Sequence, residues 1–548
     1  MIQAITINPT DNLGVALTDL KKHEQIEIGE HSVTLKQDIA AKHKFALMDF
    51  ATGAELFMYG LIVGTANQAI AKGEAITTAN VTHKATGYDL NKQTEFNWEA
   101  PDTSRFEGRT FMGYHRNDGQ VGTDNIWLVF PLVFCENRNI EVLKKAFEKA
   151  LGYDEQNPYE NMVNSLVSHY QNQSLDNALE TLSLENLEPE SNSSIFKNVK
   201  VRFITHQGGC GGIRQDSDAL CRLLAGYVNN PNVAGATVLS LGCQNAEVKT
   251  FTQGIKSINP NLDKPVIILD QQGTGKETDL ISKAVKETFK GLVEADKITR
   301  QPAPLSKLTI GLECGGSDGF SGISANPSVG HVSDLVTALG GKAILSEFPE
   351  LCGVEQELIN RMPNRDMAVK FTDLMWAYEK AAEDAGSGFD MNPSPGNIKD
   401  GLITDAMKSA GAAKKGGTSP ITDVLDYTEY AKNPGLNLLC TPGNDVESTT
   451  GLVGSGANVV LFTTGLGTPT GNPVAPILKV SSNSKLAEKM SDIIDINTGS
   501  VIEGKKTIQE MGEEMLEHVI RVASGEEMSK AVKMKHYDFI PWKRGVSL

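Results

Sequence analysis

Lys307-Leu-Thr-Ile-Gly-Leu312 runs without a break into Glu313-Cys-Gly-Gly-Ser-Asp-Gly319. The leading residues have the apolar character of a buried strand, and the glycine-rich stretch behind them ends it. Open parallel sheets bind ligands just beyond the carboxyl ends of their strands. A strand that stops on Glu, Cys, Ser and Asp therefore reads as a sheet edge and as a candidate site.

The same join recurs along the chain. Ile126-Trp-Leu-Val-Phe-Pro-Leu-Val-Phe134 leads into Cys135-Glu-Asn137, and Val199-Lys-Val-Arg-Phe-Ile204 into Thr205-His-Gln-Gly-Gly-Cys-Gly-Gly212. Ala236-Thr-Val-Leu-Ser-Leu241 is followed by Gly242-Cys-Gln-Asn245, and Lys342-Ala-Ile-Leu-Ser346 by Glu347. Pro265–Asp270, Leu436–Leu439 (before Cys440-Thr-Pro-Gly-Asn-Asp445) and Asn458–Phe462 (before Thr463-Thr-Gly-Leu-Gly-Thr468) continue the series. Between the runs, Leu143, Phe147, Ala150 and Leu151, and then Ala219, Leu220, Leu223, Leu224 and Tyr227, fall at helical spacing. Alternating strands and helices imply parallel sheets covered on both faces, so the body is α/β in two sheet-containing parts.

Upstream, Gly14–Leu17, His31–Leu35, Phe45–Leu47 and Met58–Val63 are short apolar runs punctuated by Gly, Asp and Asn, the texture of a small β-rich domain. We place domains at residues 1–92, 104–300 and 301–548, with a polar linker near Tyr88–Gly108 and a loose insertion near 153–194. A chain of 548 residues is too long for one core.

The net charge of −17 disfavours a nucleic-acid partner, which would need clustered Lys and Arg, and aromatics at 6% offer few stacking platforms. A small anion remains compatible, because a local basic pocket can sit on an acidic protein. The N-terminus lacks a signal peptide's basic start and apolar stretch, and no run reaches the ~18 apolar residues of a membrane span. Seven scattered Cys fit a reducing compartment, so we expect a cytoplasmic protein.

Cys210, Cys243 and Cys314 each follow a strand beside Gly and polar groups. With His206 they are candidate ligands for iron or zinc, or for a three-cysteine iron–sulfur cluster. Cys135, Cys221, Cys352 and Cys440 read as ordinary buried thiols. Gly315-Gly-Ser-Asp-Gly319 matches a nucleophile elbow, but Gly322 and Pro327 make the following segment a poor helix. Ser317 and Asp318 read better as hydrogen-bonding partners of a polyhydroxylated substrate than as parts of a serine hydrolase. Asp270-Gln-Gln-Gly-Thr-Gly-Lys-Glu277 lacks the leading Gly and trailing Ser or Thr of a P-loop. His43-Lys-Phe-Ala-Leu-Met-Asp49 is either a carboxylate clamp or a structural turn, and His83 and His115 are undecided.

Those segments, with Gly113-Tyr-His-Arg-Asn-Asp-Gly119, Ser324-Ala-Asn-Pro327, Asn392-Pro-Ser-Pro-Gly-Asn397 and Pro442-Gly-Asn-Asp445, resemble the altronate/galactarate dehydratase family over essentially the whole chain. The resemblance implies an N-terminal SAF-type β domain joined to a two-part α/β body. It implies a hydro-lyase that removes water from a hexonate or hexarate, with D-altronate giving 2-keto-3-deoxy-D-gluconate, and dependence on Fe2+. Mn2+ and an iron–sulfur cluster are the alternatives for the metal. The family's His-x-His-Asn element corresponds here to Thr77-Thr-Ala-Asn80, and Asp124, Ala412 and Leu466 replace an Arg, a Cys and an Arg common among relatives.

Dehydration beside a carboxylate needs that charge neutralised, a base at C2 and an acid for the leaving hydroxide. The expected roles are Lys44 and Arg116 on the carboxylate, His43 as base or metal-orienting group, and Asp49 orienting His43. Glu313, Ser317, Asp318 and Asn326 would hold hydroxyls, and His206, Cys210, Cys243 and Cys314 the metal. The partner is then a small anionic sugar acid, with a symmetric homodimer as the default assembly. Galactarate or another hexonate or hexarate is the alternative substrate, and a non-catalytic sugar-acid sensor the alternative of another class.

Overall fold

The computed structural model describes residues 2–152, 158–172, 175–183 and 194–548. Two parallel sheets form the α/β body, as the alternation predicts. The smaller has the order Lys200–Phe203, Ile126–Pro131, Val233–Ser240, Val266–Asp270, all parallel. The larger has seven parallel strands, in the order Ile421–Leu425, Gly435–Leu439, Lys342–Leu345, Thr309–Cys314, Val459–Thr464, Ile477–Ser481, Ile496–Asn497. Every residue of Ile126–Pro131, Thr309–Cys314 and Val459–Thr464 is buried, which is why they read as unbroken apolar runs rather than alternating ones.

In both sheets the order in which strands are added reverses at the centre. In the smaller, Ile126–Pro131 connects onward to Lys200–Phe203 on one side, while its other neighbour Val233–Ser240 connects to Val266–Asp270 on the opposite side. In the larger, Thr309–Cys314 connects to Lys342–Leu345 while its neighbour Val459–Thr464 connects to Ile477–Ser481. Each reversal opens a crevice between two carboxyl ends, the place where such sheets bind ligands.

A small antiparallel sheet ties the two parts together: Gln301–Pro304 pairs with Thr110–His115, which pairs with Val121–Gly122. Sequence reading misses these strands, because Gln301–Pro304 carries two prolines and is mostly exposed. One apolar core joins Leu128, Phe130 and Val238 of the smaller sheet to Val460, Phe462 and Leu439 of the larger. On the other face of the smaller sheet, Trp127 lies against Gly235 and Gly291, where any side chain would run into the indole. Its Nε1 donates to Thr237 Oγ1 at 3.0 Å.

The N-terminal domain is built of short antiparallel strands, among them Leu13–Ala16, Lys44–Ala46 and Leu61–Ala66. Met58–Val63 is not one strand but a hairpin, Glu55–Met58 against Leu61–Ala66. Tyr59 and Gly60 turn it with φ of 61° and 77°, the signature of a two-residue turn that matches strand twist. The polar segment after this domain is pinned to the body, since Gln93 Nε2 donates to the Ile359 and Met362 carbonyls. The insertion expected to be loose is helical where described, at Pro158–Gln171 and Leu175–Thr181.

Candidate active site

The crevice of the larger sheet lies between Cys314 and Thr464. Its two loops are laced together by Gly465 N and Leu466 N, both donating to Gly316 O at 2.9 Å. The N-terminal domain reaches this loop through three consecutive residues. Lys42 Nζ lies 3.0 Å from Asp318 Oδ2 and 2.8 Å from Asp400 Oδ1. His43 Nε2 is 3.0 Å from Lys399 O, and Lys44 Nζ donates to Gly401 O at 2.6 Å. Asp318 Oδ1 also accepts from Ser321 Oγ at 2.9 Å and Ser482 Oγ at 2.8 Å.

Burial shapes the charge of these groups. Burial would lower the Lys42 pKa, but Asp318 and Asp400 outweigh it and hold the pKa above the usual lysine range. Lys44 is completely enclosed, and burial brings it down to about 7 against the pull of Asp318, with Lys42 assisting. Burial also lowers His43, so its imidazole is neutral near pH 7. A fixed ammonium thus stands beside an amine that is half-deprotonated at neutral pH, the condition under which a lysine works as a general base.

Deeper under the same edge lies a second group. Glu347 leaves its strand in the left-handed region (φ 67°). Lys415 Nζ is 2.7 Å from Cys314 Sγ and 2.8 Å from Glu347 Oε2. Glu350 Oε2 accepts from Cys314 Sγ at 3.0 Å, and its Oε1 pairs with Lys408 Nζ at 2.6 Å. Burial, with Glu347 and Glu350 adding, pushes the Cys314 thiol well up. Burial and Glu350 push Glu347 up, whereas Lys408 and Lys415 overcome burial and hold Glu350 below the usual carboxyl range. The Asn392-Pro-Ser-Pro-Gly-Asn397 segment spans both groups. Asn392 Oδ1 accepts from Lys408 Nζ at 2.6 Å, and Asn397, fixed by a capping box with Ser394, donates to Ser317 O at 2.7 Å.

Of the expected site residues, His43, Lys44, Ser317 and Asp318 therefore meet at one crevice, with Cys314 in the adjoining group. Others go elsewhere. The exposed Asp49 accepts from Lys72 N at 2.7 Å, and the bond of His43 goes to a backbone carbonyl, so Asp49 is not seen orienting it. Arg116 is buried at the amino ends of the smaller sheet, with Nε on Pro231 O at 2.8 Å and Nη1 on Asn125 Oδ1 at 2.9 Å. It clamps backbone there, opposite to the strand ends where a ligand would sit. Asn326 is locked between Gly411 O and Thr463 Oγ1. Glu313 Oε2 accepts from Ser346 and Ser448. Burial, with Glu347 adding, raises its pKa well above the usual carboxyl range, which favours the neutral acid. The helix after Ser317 starts only at Ala325, too late for a nucleophile elbow.

The expected metal ligands do not converge. His206 is buried with Nε2 on Pro131 O at 2.8 Å and Nδ1 accepting from Gly208 N at 3.1 Å, so both ring nitrogens are occupied. Gly209, at φ 98°, packs directly against Leu132 O. His206 and Gly209 thereby tie their loop to the backbone at the end of Ile126–Pro131. Cys210 and Cys243 are exposed, and Cys243 Sγ accepts from Gln272 Nε2 at 3.1 Å. Among the described residues, the groups able to hold a metal are Cys314–Glu347–Glu350 and His83–Cys352–Asp405; neither contains His206, Cys210 or Cys243. Sequence reading misses Lys42, Asp400, Lys408, Lys415 and Glu350. Lysines on short polar helices look solvated, and nothing in their spacing announces that they are buried.

The comparisons with known proteins agree with this layout. Models of the altronate/galactarate dehydratase SAF domain, of the D-galactarate dehydratase/altronate hydrolase second domain and of the D-galactarate/altronate dehydratase C-terminal domain match residues 2–84, 113–296 and 305–547. An altronate dehydratase of Bacillus subtilis (strain 168) is 34% identical over 99% of both chains. An altronate dehydratase of Escherichia coli (strain K12) is 33% identical over 96% of both. An L-threo-forming galactarate dehydratase of Escherichia coli (strain K12) is 28% identical over 95% of this chain and 92% of its own.

Proposed function

The chain belongs to the altronate/galactarate dehydratase family, and from that premise we propose that it dehydrates D-altronate to 2-keto-3-deoxy-D-gluconate at the crevice between Cys314 and Thr464. The observation that carries the reaction is the enclosed Lys44 amine, with its pKa of about 7, beside the ion-paired Lys42. The names of the two relatives aligned over nearly the full length support altronate as the acid.

In this reading the Lys42 ammonium faces the substrate carboxylate and stabilises the enediolate that forms when the C2 proton leaves. The Lys44 amine takes that proton. The C3–O bond breaks, and the new Lys44 ammonium can hand its proton to the departing hydroxide as water. The enol left behind tautomerises to the 2-keto-3-deoxy acid. Ser317 adjoins the crevice as a partner for a hydroxyl, and Asp318 holds Lys42 in place. A divalent cation, ferrous iron first, belongs to the proposal as a requirement of the active protein, although the expected ligand set does not fit it and no step above runs through it.

Anaerobic incubation with ferrous iron and a panel of aldonates and aldarates, scored for 2-keto-3-deoxy acids, tests the reading. Turnover of altronate that a chelator abolishes and Lys44→Met removes is the expected result. Preference for galactarate would reassign the substrate. No product from any acid would overturn the reaction. A cytoplasmic homodimer completes the proposal, and sedimentation of the purified chain checks the assembly. The acidic charge, with no helix among the described residues long and apolar enough to cross a membrane, is compatible with it.

A further inference from the structure

The seam between the N-terminal domain and the C-terminal body holds a set of side chains that the reaction above does not use. His83 directly follows the strand Val81–Thr82 of the N-terminal domain. Cys352 follows the turn Phe348–Leu351, and Asp405 opens the helix Asp405–Ala412, both in the body. One ligand atom from each of the three lies within 4.8 Å of the other two. Imidazole, thiol and carboxyl are thus brought together from segments more than 250 residues apart in the case of His83 and Cys352.

Two observations separate this group from an ordinary polar contact. Asp405 is fully buried, its Oδ2 has no nitrogen or oxygen donor, and its Oδ1 has a long 3.4 Å approach from Ser409 Oγ, so its nearest partner across the group is the Cys352 thiol. No lysine or arginine forms an ion pair with it among the described residues. The neighbouring Cys314–Glu347–Glu350 group is the counterexample, because Lys415 and Lys408 lie on it at 2.6–2.8 Å and already supply its positive charge. The His83 imidazole is held only lightly, its Nδ1 accepting a long 3.4 Å hydrogen bond from Ala406 N.

We propose that His83, Cys352 and Asp405 bind a divalent cation of the zinc class, Zn2+ or Fe2+, across this seam. A nitrogen, a sulfur and an oxygen donor suit such an ion, and three protein ligands leave one position for water. The cation takes the place of the thiol proton between Cys352 and Asp405 and supplies the positive charge that no lysine or arginine among the described residues brings there. It also fastens the N-terminal domain to the helix on which Lys408, one turn beyond Asp405, reaches Glu350. The thiol read from sequence as an ordinary buried Cys352 becomes a ligand. The site stands without the dehydratase reading, since it is measured in the absence of substrate.

The test uses the full chain stripped with a chelator and titrated anaerobically with Co2+ alone. One equivalent is expected to bind and to give a thiolate-to-cobalt charge-transfer band. Cys352→Ser removes the band, while Cys314→Ser, Cys210→Ser and Cys243→Ser retain it. Losing a mere supporting partner of a metal ligand weakens binding about 10–100-fold, so His83→Ala and Asp405→Asn are expected to cost more than about 100-fold in Co2+ affinity. Cys352→Asp, which keeps a donor, binds Co2+ without the band and guards against a folding defect in the serine variant. Absence of binding to the folded chain, or a band that follows Cys314, Cys210 or Cys243, overturns the proposal.

Discussion

Strands of both parallel sheets run into nearly the same words, a cysteine set among glycines and polar residues, and the structure makes opposite things of them. At the larger sheet the crevice is lined by ionisable groups pressed out of water, and Lys42, Lys44, Cys314, Glu347 and Lys415 are charged or neutral according to what encloses them. At the smaller sheet His206 and Gly209 are tied to the backbone at Pro131 and Leu132, and Cys210 and Cys243 stand in solvent. Topology offers a binding position at both reversals. The proposed chemistry belongs to the one where burial and opposing charges act on the same groups.

The most forceful way to break this contrast is to remove the amine at the larger sheet and a thiol at the smaller. Lys44→Met is expected to lower kcat by ~10²–10⁴-fold, the ordinary worth of a positioned acid–base group. Cys210→Ser and Cys243→Ser are expected to leave turnover near the wild-type level. Equal losses in both places, measured by product formation, would erase the distinction.

Removing Lys415 probes the deeper group. Lys415→Met leaves Glu347 and the Cys314 thiol without their shared cation. Breaking a buried pair from one side costs about 3–5 kcal/mol, which urea unfolding would register as a lower midpoint at unchanged slope.

The pH dependence of stability sharpens the picture further. Lys44 in the folded chain titrates near 7, below its ordinary 10.5. Between those values the unfolded chain holds the extra proton, so this group makes stability rise as pH climbs from about 7 towards 10.5. Below pH 7 both states are protonated and the cost of the buried charge is present in full. Lys44→Met should therefore be more stable than the parent at pH 6, by on the order of a few kcal/mol. That advantage should vanish by about pH 10 in thermal unfolding. A constant difference across the range would show that the amine is not held near neutrality.

The smallest effect is expected at Glu313. Burial favours its neutral form, and Ser346 and Ser448 hydrogen-bond it, so Glu313→Gln, which keeps the shape of the neutral acid, should shift stability by less than about 1 kcal/mol. A larger loss in the unfolding midpoint would mean that it is ionised in the core.

Much of the body is legible in sequence because strands buried on both faces need no knowledge of their partners. Thr309–Cys314 and Val459–Thr464 announce themselves by composition alone. Gln301–Pro304 does not, since what makes it a strand is pairing with Thr110–His115, residues nearly two hundred positions away. The site divides in the same manner. His43, Lys44, Ser317 and Asp318 lie in short motifs whose chemistry can be read locally. Lys408 and Lys415 acquire theirs only when Glu350 and Glu347 close over them. Arg116 misleads for the converse reason, because a motif records which residue is present and not whether backbone carbonyls have already taken its donors.

The seat of Trp127 between Gly235 and Gly291 bears on how such a sequence can change through descent. A side chain at either glycine collides with the ring, while a smaller residue at 127 opens a cavity worth about 3–5 kcal/mol. Neither glycine can drift while the indole remains, so the ring must shrink before its neighbours are free to grow. Lineages that leave this arrangement have to do so in that order, through an intermediate less stable than either end.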